Sequence, residues 1–138
     1  MVVLDRTEDV AAFVAKIGGK PFFPPFTAIG VANDAGALTG GFVFTGFNGD
    51  GIELSLAGRG VVGRDGWRAV LAYVFDQLGC KRLQMHTRKS NRLVRMMLSK
   101  KLQFHFEGTA RRFYGNEHGL IFSLTADDLP AFRSRWRL

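Results

Sequence analysis

Residues 59–83, RGVVGRDGWRAVLAYVFDQLGCKRL, read as a glycine-rich turn, an amphipathic helix, a glycine stop and the opening of a strand. Trp67, Val70, Leu71, Val74, Phe75 and Leu78 trace one apolar stripe at helical spacing. Asp65 is placed to cap the start of this helix and Gly79 to end it. A helix entered from a tight turn points unpartnered backbone N–H groups and the positive end of its dipole outward, and anionic groups bind there. The stretch therefore predicts a phosphate-bearing ligand.

On the N-terminal side the pattern changes to strands. Ile29 and Val31 alternate, Asn33-Asp34-Ala35-Gly36 reads as a turn, and Phe42 and Phe44 share one face of a second strand. Asn48-Gly49-Asp50-Gly51 is a hairpin signal, after which Ile52, Leu54 and Leu56 face one way and Glu53 and Ser55 the other. This is an antiparallel meander. Before it, Val10, Phe13, Val14 and Ile17 have helical spacing, with Thr7 as the expected N-cap and Gly18-Gly19 as the stop. Between helix and meander, KPFFPPF is proline-broken and apolar, a packed loop.

On the C-terminal side Leu83 and Met85 alternate with Gln84 and His86 in a strand. Strand, helix and strand in about thirty residues make a βαβ unit, whose two strands are expected to be parallel. Ser90 or Asn91 opens a further helix with Leu93, Val94, Met97, Leu98 and Leu102 as its buried face. Phe104 and Phe106 begin a strand, Gly115-Asn116-Glu117 turns, and Leu120, Phe122 and Leu124 return beside it. Thr125 and Asp128 have capping-box spacing for a short last helix. The expected class is α/β (α+β): one domain over residues 1–138, its mixed, mostly antiparallel twisted sheet carrying helices on both faces and one central parallel strand pair.

Hydrophobic residues make up 46% of the chain without a long apolar run, so no membrane span is expected. The start MVVLDRTEDV lacks a basic n-region, and the single Cys80 cannot form an internal disulfide, which together suggest a cytoplasmic setting. The formal charge of +7 fits nucleic acid, a polyanionic small molecule or a solvated surface, and does not choose among them. His86, His105 and His118 lack metal-ligand spacing, so no metal site is expected; on strands His86 and His105 read as satisfied structural imidazoles. Neither a Gly-x-Ser-x-Gly elbow nor a Gly-Lys-Ser/Thr phosphate loop is present.

The order of elements resembles the GNAT superfamily of acetyl-CoA-dependent N-acetyltransferases over nearly the whole chain. Arg59-Gly60 looks like the start of that family's Arg/Gln-Gly-x-Gly-x-Gly/Ala loop, and Asn91 opens the second helix as the family's Asn does. Lys101-Leu102-Gln103-Phe104, Glu107-Gly108 and Arg111-Arg112 resemble the Leu-Gly-Phe, Glu-Gly and Arg run of the branch that includes ribosomal-protein acetyltransferases. WRAVLAYVFDQLGCKR further looks like small, phage-encoded members. Where the family has its second and third loop glycines this chain has Val62 and Arg64, with Gly63 and Gly66 displaced, and Gln103 stands in place of a usual Gly.

The resemblance implies an acetyl-CoA-dependent transfer of an acetyl group to a primary amine, a protein amine among the acceptors it allows, with acetyl-CoA as co-substrate. It places the pyrophosphate on Arg59, Gly60, Val62, Gly63, Arg64, Asp65 and Gly66, with Asn91 nearby, and the pantetheine arm along strand backbone around Leu54 and Leu56. Glu53, the only acid on its strand, is the implied general base and Tyr114 the candidate acid. The alternative is a catalytically silent module of the same fold that uses its basic surface on a protein or nucleic acid. Nucleic acid is the less favoured partner, no membrane is expected, and the assembly is a monomer or homodimer.

Overall fold

The alternation in residues 26–58 produces the meander in the computed structural model, which describes residues 1–138. The chain forms two compact units, Met1–Cys80 and Lys81–Leu138. In the first, β2 (Phe26–Ala32), β3 (Leu38–Thr45) and β4 (Gly51–Gly58) pair antiparallel in chain order. Both hairpins are built by an Asx turn. The Asn33 side-chain oxygen accepts the Ala35 and Ala37 amides at 3.0 Å each, and that of Asn48 accepts the Asp50 and Gly51 amides at 3.0 and 2.8 Å.

The sequence reading did not include β1 (Val2–Val3), which pairs with Val31 and Gly30. Two residues carry too short a pattern to register as a strand.

Helix α1 (Thr7–Gly18) lies on one face of this sheet, where Val10, Ala11 and Val14 pack with Ala28 and Val43. Burying an aliphatic side chain of this kind contributes roughly 1.5–3 kcal/mol. Close approach is possible because the strands offer Gly30 and Gly41 beneath it; a Cβ on either would come within 2.7 or 2.5 Å of the Val10 methyls. Thr7 is not the cap: it is the first helical residue, Arg6 holds the N-cap position, and no side chain caps it. The KPFFPPF segment is a loop through Pro25, as expected, and its last residue, Phe26, opens β2; Phe22 and Phe26 pack against the α1 core.

The opposite face carries α2 (Arg64–Leu71), which continues as a wider π-helical turn over Ala72–Gln77. Trp67 stands edge-on to Phe42 and Tyr73 edge-on to Phe44, while Tyr73 and Thr27 share a 2.7 Å hydroxyl hydrogen bond. Asp65 does not cap α2. The N-cap is Gly63, in extended backbone and without a side-chain cap, and Asp65, the second helical residue, pairs with Arg68 at 3.0 Å.

In the second unit β7 (Gly119–Thr125) lies between β5 (Arg82–Arg88) and β6 (His105–Ala110), antiparallel to both. A bulge in β6 falls between Phe106 and Gly108. Helix α3 (Arg92–Met96) opens on Asn91, whose side chain accepts the Val94 amide at 3.2 Å, and ends in a π turn over Met97–Lys101. Leu98 and Leu102 are buried, but Leu93 is 84% exposed, which corrects its place on the buried face. Phe104 also precedes its strand; it is buried, and its amide closes the helix on the Leu98 carbonyl at 2.8 Å. The Thr125–Asp128 capping box is present and leads through one tight turn into α4 (Leu129–Trp136).

Both α2 and α3 stop in the same way. The Cys80 amide reaches the Val74 carbonyl at 3.0 Å across Gly79 (φ 70°), and the Phe104 amide reaches the Leu98 carbonyl across Gln103 (φ 53°). These are six-to-one helix ends with a left-handed residue at the stop, a conformation glycine adopts at no steric cost. Within each unit every strand pair is antiparallel, and the whole is a mixed α/β chain, as expected.

Candidate active site

β4 leaves the sheet through a constricted turn. The Arg59 amide donates to the Thr39 carbonyl at 2.7 Å, and the Gly63 amide reaches the Gly60 carbonyl at 3.3 Å. Gly60 has φ 86°, and a Cβ there would lie 2.7 Å from a Val31 methyl. Val61 turns inward and is buried, and its carbonyl accepts the Trp67 indole N–H at 2.9 Å. The loop is thus pinned from below by the helix it introduces.

Above this anchor, α2 begins without a side-chain cap. Its first intrahelical bond is Trp67 N–H to Gly63 carbonyl, so the amides of Arg64, Asp65 and Gly66 have no partner within the helix. An open depression of about 400 Å³ sits there, lined by Gly60, Gly63, Arg64, Asp65 and Gly66 together with Val31 and the first two residues. Gly66 is small for packing rather than for ligand approach: a Cβ would sit 3.1 Å from the Phe42 ring. A helix start without a side-chain cap, an open hollow and the exposed Arg59 and Arg64 suit a diphosphate. Val62, half-buried, lies in the same loop beside the buried Val61.

Glu53 is half-buried on β4, directly opposite Thr45, which in turn pairs with Phe26. Leu54 and Leu56 stand opposite Phe44 and Phe42 on the other face, as the alternation predicts. The first unit therefore carries the glycine loop, Arg64 and Asp65 at one end of β4 and Glu53 towards the other.

Asn91 and Tyr114 belong to the second unit. Asn91 is a helix cap there. Tyr114 carries the Arg88 guanidinium 4.5 Å above its ring and meets Phe113 edge-on, and Phe113 stacks on His86 at 4.1 Å. Glu117 ties this corner down, accepting the Ser90 amide at 2.7 Å and Arg88 at 3.4 Å. Hydrogen bonding from Ser90, its side chain first and then its backbone amide, holds the carboxyl below the usual range. His86 is hydrogen-bonded to Gln84, but His105 is solvent-exposed, contrary to the structural role expected of it. No three-residue group of His, Cys, Asp or Glu could hold a metal, and no helix is long and apolar enough to cross a membrane.

One polar constellation escaped the sequence. Arg82 makes a two-pronged ion pair with Glu107 at 2.7 and 2.6 Å, Ser123 donates to the same carboxylate at 2.7 Å, and Arg82 also reaches Gln84. The Arg82 bond first, then Ser123, holds the Glu107 carboxyl at about 2. The β6 bulge aims Glu107 at Arg82, and a bulge has no simple periodic signature.

No family model matches the sequence, and no curated protein matches it significantly. Solved structures do. A GCN5-related N-acetyltransferase from Brucella melitensis matches with TM-score 0.67 and 22% identity, covering 80% of this chain and 56% of its own. The chain thus spans little more than half the length of that protein. The spermidine/spermine N-acetyltransferase SpeG from Vibrio cholerae matches with TM-score 0.63 and 17% identity, over 78% of this chain and 69% of its own. The Campylobacter jejuni N-acetyltransferase PseH, solved with acetyl coenzyme A, matches with TM-score 0.58 and 17% identity, over 86% and 79%. At these identities the likeness is one of architecture, and it is consistent: this chain is built on the fold of the GCN5-related N-acetyltransferases.

Proposed function

We propose that this protein is an acetyl-CoA-dependent N-acetyltransferase that acylates a primary amine, residues 1–138 acting as one domain. The observation that carries the reading is the uncapped start of α2 above its open depression, at the end of β4. PseH, which shares the architecture, binds acetyl coenzyme A. The amides of Arg64, Asp65 and Gly66 donate to the diphosphate, Arg64 and Arg59 neutralise its charge, and β4 backbone around Leu54 and Leu56 orients the arm. Asn91 is the further contact implied on the nucleotide side.

The acetyl group arrives as an activated thioester. Glu53 accepts the proton the amine gives up as its nitrogen attacks the carbonyl carbon; a C–N bond forms, the C–S bond breaks, and the thiolate is protonated by Tyr114 or water. Asp65 is held by Arg68, which keeps its carboxylate directed at a cation beside the anion site.

Isothermal titration with acetyl-CoA tests this: saturable heat is expected, and none at millimolar ligand overturns it. Arg64→Ala is expected to weaken CoA about tenfold and leave dephosphorylated pantetheine unaffected. Glu53→Gln is expected to lower kcat about a hundredfold while leaving the amide-lined diphosphate site intact, so that acetyl-CoA still binds.

A further inference from the structure

Directly paired residues of an antiparallel sheet share a face. The row Ala28–Val43–Ser55 lies under α1, since Ala28 and Val43 pack with Val10, Ala11 and Val14. Two residues along, with the same orientation, comes the row Phe26–Thr45–Glu53. Glu53 therefore projects on the α1 side, at the end of the sheet reached by the chain after α1 stops. Phe22 lies on that stretch, its ring 6.5 Å from that of Phe26. Phe22, Phe26, Thr45 and Glu53 are all half-buried, neither sealed into the core nor fully solvated.

Two exposed aromatic residues flank this row. Phe23 is 76% exposed in the loop that leads into Phe26, and Phe47 is 53% exposed two residues after Thr45. Single exposed apolar side chains are ordinary, but the register brings both flanking segments to one end of one sheet.

Charge adds an independent argument. Residues 21–58 contain Asp34, Asp50 and Glu53 and not one Lys or Arg, in a chain whose overall charge is +7. Lys20 and Arg59 bound this stretch, and Asp50 and Glu53 are its carboxylates nearest this end. Glu53 is five residues back along β4 from Gly58, a span of about 17 Å, which an extended pantetheine arm covers.

We infer that the acceptor is a monoamine with an aromatic or similarly apolar body, seated against Phe22 and Phe26 on the α1 side with its nitrogen at Glu53. The inference rests on the acetyl-transfer reading above. An acidic acceptor would meet like charge, and an acceptor without an apolar body would leave the Phe22–Phe26 surface unused.

The test is titration of the CoA-loaded protein with 2-phenylethylamine, spermidine and a lysine-containing peptide. Saturable binding of 2-phenylethylamine, at least tenfold tighter than spermidine, is expected. Phe22→Leu and Phe23→Ser are each expected to weaken 2-phenylethylamine several-fold and leave the acetyl-CoA Kd unchanged. Phe23 is exposed, so its variant folds irrespective of Phe22. If acetyl-CoA binds and spermidine or the peptide is preferred, or 2-phenylethylamine does not saturate, the acceptor inference fails and the transferase reading stands. Loss of acetyl-CoA binding in the unmodified protein overturns both.

Discussion

The indole N–H of Trp67 donates to the carbonyl of Val61 at 2.9 Å, so the residue that anchors α2 in the core also fixes the loop above its N-terminus. Both groups are buried. Packing and ligand geometry thus share one side chain, and a change made for one is felt by the other.

Trp67→Phe keeps an aromatic ring against Phe42 and strips the Val61 carbonyl of its donor. An unsatisfied buried carbonyl costs about 1–3 kcal/mol. Urea melts are expected to show that loss, and calorimetry a weaker acetyl-CoA, because Gly60–Gly63 is no longer held. Unchanged stability would mean that water or another donor replaces the indole.

Gly63 occupies the N-cap of α2 in extended backbone, with φ −83° and ψ 159°. Serine suits that conformation, and its hydroxyl oxygen would accept the Asp65 or Gly66 amide. Gly63→Ser is therefore expected to raise stability by a few tenths of a kcal/mol and to weaken acetyl-CoA, because the new cap takes an amide the diphosphate needs. Thermal melts and titration read the opposite signs. A variant that is more stable and binds equally well would remove these amides from the site.

Gln103 holds a left-handed conformation, φ 53°, at the end of α3, and its side chain is exposed. Such backbone costs a non-glycine residue about 1–2 kcal/mol, of which the greater freedom of unfolded glycine returns a part. Gln103→Gly is expected to stabilise by about 0.5–1 kcal/mol, seen as a higher Tm. The mirror change Gly79→Ala, at φ 70°, is expected to destabilise by a similar amount.

The Glu107 carboxyl titrates at about 2 in the folded protein, against 4.5 for an unperturbed glutamate. Its depressed value means that the Arg82–Glu107 contribution is present in full above about 4.5 and fades as the pH falls through 2. Glu107→Gln is expected to lower Tm at neutral pH, with the gap from the unmodified protein closing between these values. A gap constant across that window would show that the ion pair adds nothing to stability.

Much of the fold was legible because its elements obey one period each. The meander announced itself through two Asn-led turns and alternation, and the Thr125–Asp128 box through local spacing alone. Where two solutions satisfy the same local rule, the sequence misled. Asp65 is a good cap residue, but the turn enters the helix two residues earlier, at Gly63. Leu93 has the period of the α3 core and faces out, because a five-residue helix ending in a π turn does not keep an α-helical face.

For the candidate site, the sequence alone determined that a glycine loop feeds an amphipathic helix and that one acid, Glu53, sits on the preceding strand. These are short-range matters, set by turn chemistry and periodicity. Only the tertiary structure decided that Gly66 is small for Phe42, that Val61 is held by Trp67, and that Phe22 and Phe26 lie on the side of the sheet to which Glu53 projects. Those relations join residues far apart in the chain, through register and close packing, which no local pattern encodes.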